Sequence, residues 1–253
     1  MPTYKIDLSY DGTAYCGWQI QPNQRSVQSE VNRALKILLP GEDISVQGAG
    51  RTDAGVHALQ QVAGFQSIAY RSPSQIMKAL NSLLPADIIC LDAQVMDDDF
   101  HPRHCSKEKM YRYRILYGKR RCPFRYKYTW HISTPLDIPK MELAAKEFEG
   151  TFDFQAFQAQ GCGAASSIRT IRSSQLLVKE DELHFEVVGK GFLRHQVRNM
   201  MGAIVAIGQE KMLIDDVAKL LNDNDRKFDG AKAPALGLWL VWTSLLDNSP
   251  QVR

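Results

Sequence analysis

Gly48-Ala49-Gly50-Arg51-Thr52-Asp53-Ala54-Gly55-Val56-His57 stands between two stretches that read as strands, 43–47 before it and 60–67 after it. Two adjacent strands need only a two-residue turn, so a longer Gly-rich connection points to a loop with a task of its own. Upstream, Thr3-Tyr4-Lys5-Ile6-Asp7-Leu8-Ser9 alternates as a strand does and closes on Tyr10-Asp11-Gly12. From Ser26, Val27, Val31, Leu35, Leu38 and Leu39 recur on one helical face. Downstream, Ser72-Pro73-Ser74-Gln75 has the composition of a capped helix start, Ile76, Leu80, Leu83 and Leu84 give its buried face, and Pro85 stops it. Ile88–Val95 reads as a further strand. The order is β-α-β-β-α-β, the split arrangement of ferredoxin-like folds.

From about Phe100 the pattern starts again. Strands are expected at 108–117 and 125–132, a helix from Asp137-Ile138-Pro139 to before Gly150, and strands at 170–178 and 182–189 joined by Glu180-Asp181. A helix over Phe192–Ile207, a short one at 213–221 and a strand Leu236–Leu246 complete it. The expected class is therefore α+β (mixed α/β): two related ferredoxin-like domains, 1–104 and 105–253, with largely antiparallel sheets flanking a basic central cleft.

In the 48–57 loop three glycines within eight residues let the backbone turn and approach a bound molecule. Arg51 and Asp53 are two apart, so in an extended segment they share a side and can pair; a carboxylate beside a cation stays ionised, as a nucleophile must. The same composition also fits a solvated surface loop. A dinucleotide fingerprint would need glycine where Asp53 stands, and no Gly-Lys-Ser/Thr follows to make a phosphate loop.

At 253 residues, 44% hydrophobic and 23% charged, the chain has room for one large or two middling domains. Met1–Asp11 lacks a signal-peptide pattern and the apolar run near Met200–Ile207 is too short to span a bilayer, so a cytoplasmic protein is expected. The five cysteines include no Cys-x-x-Cys, which predicts reduced thiols; His101, His104, Cys105 and Cys122 match no common metal spacing. Net charge is only +3, yet residues 101–130 carry ten Lys/Arg against one acid, Glu108. Tyr111, Tyr113, Tyr117, Phe124, Tyr126, Tyr128 and Trp130 are interleaved with them. Cations for phosphate and flat rings for bases suit extruded or unpaired nucleotides. A strand pair with an aromatic core face and a solvated basic face fits the same pattern. In the expected helix from Phe192, Arg194 and Arg198 lie four apart on one face, as if an anion stood opposite; two solvated arginines fit equally.

The loop resembles the signature of the TruA family of tRNA pseudouridine synthases. So do Tyr10-Asp11-Gly12 … Tyr15-Cys16-Gly17-Trp18-Gln19 with Ser26-Val27-Gln28, and Asp99-Phe100-His101-Pro102-Arg103 … Tyr111-Arg112-Tyr113. Phe192-Leu193-Arg194-His195-Gln196-Val197-Arg198-Asn199-Met200-Met201-Gly202 and Ala233-Pro234-Ala235-Leu236-Gly237-Leu238 follow in family order. The resemblance implies an isomerase that converts uridine to pseudouridine at tRNA positions 38, 39 and 40, as a homodimer, with no cofactor and no catalytic metal. By motif match Asp53 would be the catalytic carboxylate and Arg51 its loop neighbour. Tyr111 would stack on the uracil and handle its C5 proton. Arg198 matches the basic residue that pairs with the carboxylate, and Leu238 an apolar wall. Arg103, Arg112, Arg194 and His195, in the same motifs, are the remaining expected tRNA contacts. Met110, where a polar or basic residue is expected, and the Lys/Arg-poor stretch 158–167 depart from the pattern.

The chemistry of the residues agrees with that implication. Breaking N1–C1′ and rejoining at C5 needs a group that attaches covalently and leaves again, which a carboxylate does, and a base taken out of the stack. Two other classes remain: an RNA-binding protein that remodels tRNA without modifying it, and a carboxylate-dependent hydrolase. Binding alone does not need an anion facing RNA, and glycoside hydrolysis usually needs two carboxylates where the motifs supply one.

Overall fold

A computed structural model describes residues 1–223 and 227–246. The chain divides into two compact units, Met1–Lys109 with the described residues from Leu240 onward, and Met110–Trp239.

The first unit contains β1 (Thr3–Tyr10), α1 (Val27–Leu38), the two-residue β2 (Gln47–Gly48), β3 (His57–Gln66), α2 (Pro73–Leu83) and β4 (Ile88–Met96). β1 lies between β4 and β3, antiparallel to both, and β2 pairs antiparallel with β3. This is the strand order of the expected split unit. β10 (Leu238–Leu245) lies on the other side of β3 from β1. That pairing is why the chain from Leu240 groups with the first unit, although the sequence boundary at 104 placed everything after it in the second domain.

Tyr4, Ile6 and Leu8 alternate along β1 and are fully buried with Val31, Leu35, Ile76 and Leu80 of the helices. Both helices start on a capping box, Ser26 with Ser29 and Ser72 with Gln75, so their first N–H groups are satisfied locally. The strand expected over 43–47 is only Gln47–Gly48. The backbone of Val46 is instead held by α1: its N–H donates to Asn32 Oδ1 at 2.9 Å and its carbonyl accepts from Gln28 Nε2 at 2.7 Å.

The second unit contains most of β5 (Ser106–Tyr117), then β6 (Trp130–Ile132), α3 (Ile138–Lys146), β7 (Gly150–Asp153), β8 (Ile168–Lys179), β9 (Glu182–Gly189), α4 (Gln196–Gly208) and α5 (Asp215–Asn222). The order is β5-β9-β8-β7, with β7–β8 and β8–β9 antiparallel. β6 pairs parallel with β5. The expected class, α+β with largely antiparallel sheets, is what the structure shows. Glu180, at positive φ, makes the tight β8–β9 turn. Phe148, Phe154, Phe157 and Phe185 fill the core with Met141 and Met201.

Two expected elements differ. Of the strand over 125–132 only Trp130–Ile132 forms. Residues 123–128 turn instead, with Arg125 N bonded to Cys122 O and Tyr128 N to Arg125 O. The helix expected from Phe192 begins at Gln196. His195 has φ +66°, which no helix admits, and the buried Gln196 amide turns back to accept from Leu193 N at 2.8 Å. Arg194 therefore precedes the helix, and Arg194 and Arg198 do not share a helical face. All five cysteines are free thiols, and no helix among the described residues is long and apolar enough to cross a membrane.

Candidate active site

The loop carrying Asp53 is shaped by the stretch Tyr10–Trp18 of its own unit. Gly48 packs on the Trp18 indole so closely that a Cβ would lie 2.6 Å from the ring. Trp18 N donates to Thr52 O at 3.1 Å, and the Thr52 hydroxyl, buried, bonds the Tyr10 hydroxyl at 2.9 Å. Burial pushes the Tyr10 phenol up, so it stays a neutral partner. On the far side of Asp53, Gly55 N donates to Tyr15 O at 3.2 Å and Val56 N to Asp53 O at 3.1 Å. Gly12 sits against the Val56 carbonyl, and its N–H donates to the buried His57 Nδ1 at 3.1 Å. Gly50 O accepts from Gln61 Nε2 at 2.6 Å. The loop is thus tied on both sides of the carboxylate. Asp53 itself is half-buried between the buried Thr52 and the exposed Ala54.

Arg51 is exposed, and among the described residues its guanidinium makes no hydrogen bond or ion pair. The Arg51–Asp53 pairing expected from their spacing is therefore not formed. Arg103 is exposed in the same unit, its N–H donating to His101 Nδ1 at 3.3 Å. Burial lowers the pKa of His101, with His104 and Arg103 adding to the effect.

The remaining candidates belong to the second unit. Tyr111 on β5 is buried, its ring edge-on to Phe192 at 5.2 Å between centroids. Arg198 Nε donates to Ala233 O at 2.8 Å, and Ala233 N returns a bond to Arg198 O at 3.2 Å. Gly202, one turn on, lets the chain at Ala231 lie against α4: a Cβ there would be 2.2 Å from Ala231 O. Tyr113 donates to Pro234 O at 2.7 Å and its ring packs on Gly237. These ties fix the segment ending at Leu238, which is buried. The structure thus groups Tyr111 with Phe192, and Arg198 with the 231–238 segment. His195 Nδ1 lies 3.3 Å from Lys232 Nζ. Arg194 Nη2 bonds Gln160 O, and Arg194 O accepts from Ala159 N, so the Lys/Arg-poor stretch begins on Arg194.

Arg112 is already matched: its Nε and Nη2 both lie 2.8 Å from Glu186 Oε1. Arg114 pairs with Glu182 at 2.8 Å, and Arg125 with Asp181 at 2.6 Å and Glu182 at 3.0 Å. Glu182 is buried, which alone would raise its pKa, but bonds from Arg114, His184 and Arg125 bring it down to about 2. Three cations of the basic segment are thus neutralised by the β8–β9 hairpin, which counting along the sequence did not reveal. Lys119, Arg120, Arg121 and Lys127 have no ionic partner among the described residues, and beside them Phe124 is 88% exposed. No cluster of three or more His, Cys, Asp or Glu side chains that could hold a metal exists among the described residues.

The supports of the loop were the residues that sequence reasoning missed. Gly12, Tyr15, Gly17 and Trp18 were visible as a motif, but their task required knowing what lay against them. Gln61, on the neighbouring strand, carried no signal.

A family model described as tRNA pseudouridine synthase matches residues 8–104 and 144–243. A tRNA pseudouridine synthase A of Limosilactobacillus reuteri is 44% identical over 247 residues, 95% of this chain and 96% of that protein. One from Geobacillus sp. is 41% identical over 244 residues, 96% of this chain and 98% of that protein. One from Myxococcus xanthus is 41% identical over 251 residues, 99% of this chain and 94% of that protein.

Proposed function

We propose, from the premise that this chain belongs to the tRNA pseudouridine synthase family, that it converts uridine to pseudouridine at positions 38, 39 and 40 of the tRNA anticodon arm with Asp53 as the catalytic carboxylate. The family assignment makes the chain an isomerase acting on tRNA uridines. The observation that carries the finer reading is the Asp53 loop: one carboxylate, half-buried, on a backbone tied at Thr52, Gly55 and Val56. A nucleophile held so loses little freedom when it reacts.

In this reading the uridine leaves the stack and Asp53 forms a covalent bond to the substrate, at the ring or at the sugar. The N1–C1′ bond breaks, C1′ joins C5, C5 gives up its proton, N1 gains one, and the carboxylate is released unchanged. Tyr111 stacks on the uracil and handles the C5 proton. By family motif match Arg198 is the basic residue assigned to the catalytic carboxylate, and Leu238 an apolar residue assigned to the uracil. Arg51, the loop neighbour of Asp53, belongs to the catalytic group, and Arg103, Arg112, Arg194 and His195 contact tRNA. Arg112 also pairs with Glu186, which holds β5 to β9.

The test is to treat unmodified tRNA transcripts with the protein and map pseudouridine by carbodiimide adducts and primer extension. Stops at 38, 39 or 40 are expected. Stops confined to another region of the tRNA would overturn the position assignment while leaving the reaction.

A further inference from the structure

Lys109 is a buried cation that the proposed reaction leaves unused. It is 6% exposed at the end of the first unit. Its Nζ donates to the buried Ser106 hydroxyl at 2.8 Å, and among the described residues it has no ion pair. The charge that acts on it is Arg103, of the same sign and likewise without an ion pair among the described residues. Its stem lies along the Asp53 loop: a Cβ on Gly50 would stand 3.2 Å from Lys109 Cε. Gly50 is three residues before Asp53 and is fixed by Gln61.

Burying an ammonium without a counter-charge costs several kcal/mol, and a hydroxyl does not offset it. Burial and the Arg103 charge together bring the lysine pKa down to about 8. A folded chain that retains such a cation against Gly50 of the loop carrying its candidate nucleophile is prepared for an anion that arrives with the substrate. RNA supplies one per nucleotide, and an extruded nucleotide must have its flanking phosphates held in place.

We propose that Lys109 and Arg103 form a phosphodiester-binding subsite beside the Gly50 bend of the Asp53 loop, which takes a phosphate flanking the extruded uridine. This rests on the reading that the chain acts on tRNA uridine. Arg103, exposed, meets the phosphate first; Lys109, buried, supplies the charge that water does not screen.

The experiment measures binding of an unmodified anticodon stem-loop RNA to the full chain, its Lys109→Met variant and its Lys109→Arg variant across salt concentrations. Lys109→Met is expected to bind about tenfold more weakly, with the slope of log K against log salt reduced by ~0.7–0.9, while its Tm is unchanged or higher. Lys109→Arg should recover part of the affinity. Single methylphosphonates placed through the loop should weaken wild type at one position where Lys109→Met is insensitive. A lower Tm with an unchanged salt slope would make Lys109 a structural residue and overturn the subsite, as would additive losses at every methylphosphonate position. If Lys109→Met does not fold, wild type decides: between pH 8 and 9.5 RNA binding should take up a proton, because the phosphate raises the lysine pKa, and no uptake overturns the proposal. Pseudouridine formation by wild type on the same RNA is read separately, so failure of the reaction and failure of the subsite are distinguishable.

Discussion

Gly12 occupies a position where a methyl group cannot go, since a Cβ would stand 2.0 Å from the Val56 carbonyl oxygen. Neither backbone can yield without moving the loop that carries Asp53, so Gly12→Ala should cost ~3 kcal/mol or more, read as a lower urea midpoint, and should remove turnover. A stability loss below ~1 kcal/mol would mean the loop is not fixed from this side. Lys109 carries a second expectation. Its folded pKa, about 8, lies below the ordinary 10.5, so between those values the unfolded chain binds more protons and stability rises with pH. Lys109→Met should abolish that rise in thermal melts at pH 8 to 10.5; the same rise in the variant would assign it to other groups. At this scale the sequence displayed its chemistry and hid its supports. Asp53 and Tyr111 could be named from motifs, whereas Gln61 under Gly50 and Lys109 beside it could not. Each of those is defined by a neighbour distant in sequence. The Arg51–Asp53 spacing suggested a pair that the structure does not form, because spacing fixes which side a residue occupies and not what it touches.

At the scale of elements the β8–β9 hairpin does more than extend a sheet. Glu182 gathers Arg114, Arg125 and His184, and its pKa of about 2 lies below the ordinary 4.5. A depressed carboxylate contributes stability that is full above about pH 4.5 and lost as pH falls toward 2. Glu182→Gln should therefore be less stable than wild type at neutral pH, with the difference closing as pH is lowered through that window in denaturant titrations. A difference independent of pH would show that the carboxylate charge is not what the arginines bind. The helices were legible where their ends carried chemical signals, as at Ser72-Pro73-Ser74-Gln75. α4 was misread by four residues because Phe192-Leu193-Arg194-His195 has no helix breaker in it; the turn is imposed by the buried Gln196 amide and the positive φ of His195. The strand expected over 125–132 failed for a similar reason: Arg125 is drawn to Asp181 and Glu182 rather than into a ladder.

For the whole molecule, binding of tRNA should weaken steeply with salt, log K falling by ~0.7–0.9 per phosphate neutralised. The exposed cations without ionic partners, Lys119, Arg120, Arg121 and Lys127, should carry part of that slope, and replacing all four by Gln should flatten it without lowering Tm. An unchanged slope would remove this turn from the RNA-contacting surface. The α+β class and the split order of the first unit followed from periodicity and turn residues, because strands near in sequence pair with one another. The return of β10 to β3 was not legible, since nothing in Leu238–Leu245 names its partner. The homodimer implied by family resemblance is a proposal that sedimentation of the free chain tests. The central claim is that Asp53 performs a substitution at C5 of a tRNA uridine, and release of tritium from unmodified tRNA carrying [5-³H]uridine tests it most directly. Wild type should release tritium and Asp53→Asn should release none while still binding tRNA. Release by both would contradict the role of Asp53, and release by neither, with tight binding intact, would contradict the reaction.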